Sequence, residues 1–287
     1  MPSSIAELVA LFDLEVIEEG LYRARPPVTH FQRVFGGQVL GQALLAANRT
    51  VPVDRPVHSL HAYFLLPGDP AVPIVYDVED LRDGRSFTSR RVAARQHGKH
   101  IFYLTASFQV EEPGLEHQDV MPVVPDPLDC PTLAESIEAD RGPDAAAYMT
   151  EEFAALDVRY AGSSAVGGML HDPAHPALAR MWLRANDRLP DDVALHRCLL
   201  AYMSDLTLLH ASLVPHQVSI DSIQRASIDH AMWFHRPFRA DEWLLYDQVS
   251  PSASGARGLS LGRLYNADGV LVATAVQEGL IRPGFTG

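Results

Sequence analysis

The chain has 287 residues, 47% of them apolar and 21% charged, which suits a soluble globular protein with a sizeable core. Its net charge of −13 argues against sequence-independent binding to nucleic acid or to an anionic membrane surface. No apolar run reaches the roughly 20 residues that span a bilayer, and the two cysteines, Cys130 and Cys198, have no partner at metal-ligand spacing.

Residues 1–16 carry Glu7, Asp13 and Glu15 and no basic side chain, so a secretory leader is not expected there. The last four residues are not of the peroxisomal Ser-Lys-Leu type, and a cytoplasmic location is the expectation. Residues 14–25 read as β-rich. After Gly36-Gly37, residues 38–49 form a helix with Val39, Leu40, Ala43, Leu44 and Ala47 on one stripe, ended by Pro52. Four strands follow, at 58–66, 72–81, 87–96 and 101–110, separated by Pro67-Gly68, Asp83-Gly84 and His97-Gly98. Residues 111–150 are rich in Pro, Asp and Glu and read as a connector with a short helix around 132–139. A second helix is predicted over 192–213, with Asp192 as its N-cap. Strands at 226–234, 243–249, 258–265 and 270–280 complete the pattern.

A helix followed by an antiparallel meander, twice over, predicts an α+β protein built of two tandem units. The expected division is residues 1–112, a connector over 113–156, and a second unit over 157–287. Three polar positions support a repeat. Gly37, Ser59 and Gln109 return as Asp205, Ser227 and Gln277, each 168 residues on (205−37, 227−59, 277−109). Only the second set has a carboxylate, which suggests one working site and one worn copy.

Asp205 falls on the apolar stripe of the predicted second helix, beside Cys198, Tyr202 and Leu209. A carboxylate placed there needs hydrogen bonds, and burial tends to raise its pKa. Strand alternation sets Ser227, Asp229, Ala231 and Trp233 on one face, with Ile228, His230, Met232 and Phe234 on the other. A carboxylate can take a proton from water while a hydroxyl and an amide fix that water's orientation. None of the three is a strong nucleophile without a histidine partner, so activated water is the natural product of the set. Water attack on a thioester suits it, because a thiol with a pKa of about 8.5 leaves without a general acid. Backbone N–H groups near Gly36-Gly37 are candidates for holding the oxyanion.

The segments Phe35-Gly36-Gly37-Gln38, His58-Ser59-Leu60-His61, Leu81-Arg82-Asp83-Gly84-Arg85-Ser86-Phe87, Asp229-His230-Ala231-Met232-Trp233-Phe234-His235-Arg236-Pro237 and Val276-Gln277-Glu278-Gly279 resemble the signature stretches of the type II acyl-CoA thioesterases. The resemblance implies a double hotdog, each long helix wrapped by an antiparallel sheet, and hydrolysis of acyl-CoA to fatty acid and CoA without metal or cofactor. It also implies an Asp, a Thr or Ser, and a Gln holding the attacking water, here Asp205, Ser227 and Gln277. Association into a homo-oligomer is a further implication.

Other constellations compete with this set. An Asp229-His230 dyad needs a bulge to converge. His171-Asp172-Pro173-Ala174-His175 reads as a loop rather than a metal helix. Arg90, Arg91, Arg236 and Arg257 are either CoA-phosphate ligands or solvated surface arginines. Neither a Gly-x-Ser-x-Gly elbow nor a phosphate-cradling glycine loop is present. Hydration or dehydration of an acyl thioester, and non-catalytic acyl-CoA binding, are the alternative functions.

Overall fold

Burial alternates with a period of two along most of the strand-forming segments, and this single feature dictates a one-sided sheet. Thr88, Arg90, Val92, Ala94 and Gln96 all point inward from the strand Phe87–Gln96. The computed structural model describes residues 2–165, 168, 170, 176–216, 218 and 222–284. The segment 171–175, read above as a loop, therefore lies outside the described residues, as does the end of the chain from 285.

A short helix α1 (Ile5–Ala10) precedes β1 (Glu15–Glu18) and β2 (Leu21–Ala24). The helix α2 (Gly36–Asn48) then leads to β3 (Val57–Phe64), β4 (Ile74–Asp83), β5 (Phe87–Gln96) and β6 (Lys99–Gln109). Two helices follow, α3 (Leu133–Arg141) and α4 (Pro143–Glu152). The second half comprises β7 (Leu156–Ser163), β8 (Leu178–Ala185), α5 (Val193–Ser204), β9 (Ile223–Ser227), β10 (Asp229–Phe234), β11 (Leu244–Ser254), β12 (Arg257–Asn266) and β13 (Leu271–Pro283). The strands join into one antiparallel sheet in the order β1-β2-β4-β5-β6-β3-β10-β13-β12-β11-β8-β7, with β9 also on β13. The β3–β10 ladder, Asp229↔Tyr63 through Trp233↔Ser59, makes the two halves continuous.

Residues Gly37 to Ala47 of α2 are all buried, so this helix is enclosed on every side. The chain Val193–His216 is apolar enough to cross a membrane, but most of it is buried within the protein, as suits a core helix. The N-terminus of α2 meets the C-terminus of α5 backbone to backbone. A Cβ on Gly37 would sit 2.2 Å from the carbonyl oxygen of Tyr202, so only glycine permits this crossing.

Three expectations need correction. The helix predicted over 192–213 is not continuous: α5 ends at Ser204, Asp205 is its C-cap, and Leu208–His216 is a 3-10 segment. At the break the Leu206 N–H reaches the Met203 carbonyl at 3.1 Å, an i→i+3 bond, and the Ser204 carbonyl accepts from Tyr246 Oη at 3.1 Å. The connector holds α4 as well as the anticipated short helix, which opens on a Thr132/Glu135 capping box. Strands β7 and β8 extend the sheet where no elements were foreseen.

The face assignment of Ser227 also changes. Between the pairs Ser227↔Gly279 and Ala231↔Val276 lie three residues on one side (228–230) and two on the other (277–278). This bulge turns Ser227 to the inner face together with His230, Met232 and Phe234.

Candidate active site

Three elements distant in sequence meet at the start of α2. Asp205 Oδ1 accepts from Ser227 Oγ at 3.0 Å and from Gln277 Nε2 at 2.5 Å. Gln277 Nε2 also lies 2.8 Å from Ser227 Oγ, closing a triangle. The carboxylate further accepts from the backbone N–H of Gly37. Its Oδ2 is only 2.6 Å from where a Cβ on Gly36 would be, so glycine is required beside it. All three predicted site residues are thus brought together.

The local reasons are plain. Helix α2 has Phe35 at its N-cap and no side-chain cap of its own, leaving first-turn N–H groups unmet. Asp205 supplies the missing acceptor from the other half of the molecule, near the positive end of the helix dipole. Burial outweighs these bonds and pushes the Asp205 carboxyl up to about 6. Gln277 is fully buried, whereas Asp205 and Ser227 are each partly exposed. An apolar wall stands next to it: Phe35 packs edge-on to Tyr202 at 5.1 Å and to Phe153 of the α4 end at 5.6 Å.

The competing groups lie apart from this triangle. Asp229 accepts from the Glu278 N–H at 2.7 Å, while His230 faces inward to Ser204, so the two do not form a dyad. Arg90 is buried against Asp80, Asp83 and Thr50, Arg91 pairs with Glu79, Arg257 pairs with Glu278, and Arg236 holds the carbonyls of Leu271 and His117. Each of these arginines is already engaged by the protein. Among the described residues no group of three or more His, Cys, Asp or Glu side chains converges as a metal site. A cavity of about 500 Å³ between Trp182, Trp243 and the segment around Val124 is not part of the triangle.

The 168-residue frame picks out three side chains that meet in space but assigns them the wrong counterparts. Gly37 is not a degenerate copy of Asp205; it is the residue whose N–H Asp205 binds. The β3–β6 ladder has its own one-residue shift between Val57↔Phe108 and Ser59↔Ser107. Superposing the two bulges sets Val57 against Ser227 and Ala106 against Gln277. Gln38 escaped notice: it is fully buried one residue beyond Gly37, with neither amide atom bonded. The available signal was its place in the Phe35-Gly36-Gly37-Gln38 segment.

A long buried helix in each half, enclosed by a continuous antiparallel sheet, defines a protein of the hotdog fold. The fold matches that of a protein from Alicyclobacillus acidocaldarius described as having a hot dog fold, with a TM-score of 0.76 at 20% identity over 97% of this chain and 99% of the other. The family described as acyl-CoA thioesterase matches residues 170–280, and the acyl-CoA thioesterase N-terminal domain matches residues 24–109. Acyl-coenzyme A thioesterase 8 of Homo sapiens is 42% identical across 96% of this chain and 88% of its own length. The crystal structure of an acyl-CoA thioesterase II from Mycobacterium marinum has a TM-score of 0.83 and 44% identity, covering 98% of this chain and all (100%) of the other. The chain belongs to the acyl-CoA thioesterase family.

Proposed function

We propose that this protein hydrolyses acyl-CoA to a free fatty acid and CoA, with Asp205 as general base. The observation that carries this reading is the carboxylate itself: half-buried, raised to about 6, and held by Ser227, Gln277 and the Gly37 N–H at an otherwise uncapped helix start. A base with a pKa near the working pH is well matched to taking a proton from water. Ser227 and Gln277 fix the carboxylate and the direction of that water.

In the reaction, water oxygen bonds to the thioester carbonyl carbon as Asp205 takes the water's proton. The carbonyl π electrons move to oxygen, and the Gly36 N–H at the open helix end is placed to stabilise the resulting oxyanion. Collapse restores the carbonyl and breaks the C–S bond. The thiolate leaves with its electron pair and recovers a proton from Asp205 or solvent. The wall formed by Phe35, Phe153 and Tyr202 supplies apolar surface suited to an acyl chain.

Thiol release from acyl-CoAs of graded chain length tests the activity. Asp205→Asn is expected to lower kcat by roughly 10²–10⁴-fold with the fold intact by circular dichroism. Near-normal hydrolysis by that variant would remove Asp205 from the role. Conversion of an enoyl-CoA to a hydroxyacyl-CoA without thiol release would point to hydration, and ligand binding without turnover to a sensor.

A further inference from the structure

Beside the start of α2 the chain builds an aromatic row that leads away from the Asp205 triangle. Phe35, the residue before Gly36, folds its ring back over the first turn, 2.6 Å from where a Cβ on Gly37 would be. From there the ring centroids follow one another: Phe35 to Phe153 at 5.6 Å, Phe153 to Phe31 at 5.9 Å and Phe31 to Tyr148 at 5.8 Å. The inner end is closed by Tyr202, 1% exposed and packed on Phe35, while the outer end is open at Tyr148, 38% exposed. Phe31 and Phe35 are half-buried.

The hydrophobic interior gains little from this arrangement. No residue of α3 is buried, and α4 buries only Ala146 and Glu152. What joins α4 to the segment before α2 is polar as well as aromatic. The Glu152 carboxylate, 1% exposed, accepts from the His30 N–H at 2.6 Å and from Thr29 Oγ1 at 2.7 Å. Thr29 Oγ1 in turn accepts from the Phe31 N–H at 3.0 Å. Burying a carboxylate at a surface seam is costly, and here it fixes the backbone that carries Phe31.

Apolar rings that start at a reacting centre and continue outward from it offer a surface to an extended apolar ligand. The acyl chain has that shape and begins at the thioester carbon, beside Gly36. The pantetheine arm, with its amides, matches less well a row in which only Tyr148 carries a polar side-chain atom. Resting on the reading of the triangle as a thioesterase site, we propose that the acyl chain lies along Phe35, Phe153, Phe31 and Tyr148, and that Phe31 and Tyr148 set a preference for long chains. A short chain ends beside Phe35 and Phe153. A longer one reaches Phe31, and only the longest reaches Tyr148. Each methylene withdrawn from water against these rings contributes up to about fourfold in affinity.

The test uses butyryl-, octanoyl- and palmitoyl-CoA together with their non-hydrolysable thioether analogues. Phe31→Ala is expected to raise KM for palmitoyl-CoA about tenfold and for butyryl-CoA less than about twofold, with kcat little changed, because the lost contact is made equally in ground and transition states. Tyr148→Ala should raise KM about threefold for palmitoyl-CoA and less than about twofold for octanoyl-CoA. Phe31→Leu, which keeps an apolar side chain, should recover most of the loss. Phe87→Ala removes a ring 40% exposed elsewhere on the sheet and should not alter the dependence on chain length. A KM that rises equally for all three substrates would put CoA rather than the acyl chain on the row and overturn the proposal. So would unchanged KM values, or a Tyr148 effect that sets in at shorter chains than the Phe31 effect. If the native protein releases no thiol from any acyl-CoA, the thioesterase reading fails, and the thioether affinities still judge the row. Binding that tightens with chain length and loses that dependence in Phe31→Ala would sustain it; binding indifferent to Phe31→Ala would end it.

Discussion

α2 and α5 occupy the same step in the two halves of the molecule, each following its half's second strand, yet their first turns are satisfied in opposite ways. The start of α5 is sealed locally: Asp192 Oδ1 accepts from Ala194 N at 2.9 Å and Leu195 N at 3.2 Å. The start of α2 has no such cap and receives a carboxylate from the far side of the molecule. The surroundings follow suit. Where the second half has Ser227 and Gln277, the first has Val57 and Ala106, both buried, and Arg197 Nη1 bonds the Val57 carbonyl at 2.8 Å. A helix end closed by its own residue is structural. One closed by a distant acid can open to a substrate.

That contrast can be broken most severely at Gly36. Gly36→Ala drives a methyl to within 2.6 Å of Asp205 Oδ2, and we expect a displacement that lowers kcat by about 10²-fold. Unchanged turnover would show that the approach of carboxylate and helix end is not needed. The next effect is graded by pH. The folded pKa of Asp205 lies above its usual value, so the base form is lost as pH falls through about 6. Below that point kcat/KM should drop roughly tenfold per pH unit, and a profile flat to pH 5 would contradict it. The same shift means that charged Asp205 opposes folding above pH 6 and that this penalty fades as it is protonated in acid, so its own titration does not weaken the fold. The smallest change is expected at the sealed helix. Asp192→Ala should cost about 0.5–2 kcal/mol of stability in a denaturant titration with kcat unchanged within about twofold. A large loss of activity would mean that both helix ends serve catalysis.

Much of this was legible in the chain. β5 runs over the predicted residues, and α2 begins within two residues of its expected start, because alternation and the glycine pair are local signals. The triad was legible as well, through the motif resemblance and the carboxylate on an apolar stripe. What the sequence concealed depends on contacts made elsewhere. Asp205 caps a helix rather than sitting inside one, with the Ser204 carbonyl beside it accepting from Tyr246 of a distant strand. The repeat frame matched Gly37 to Asp205 although one begins a helix and the other ends one. Gln38 resembled an ordinary core residue until its unbonded amide was placed in space.

The bulge between Ser227 and Ala231 has an evolutionary consequence. Because one additional residue there inverts the phase of everything upstream in the strand, losing a single codon between Ser227 and Ala231 would swing Ser227 out toward solvent while leaving the hydrophobic order of Met232 and Phe234 untouched. Amino-acid replacements in this stretch are open to gradual drift. Insertions and deletions are not, and the segment should keep a constant length through descent even where its composition wanders.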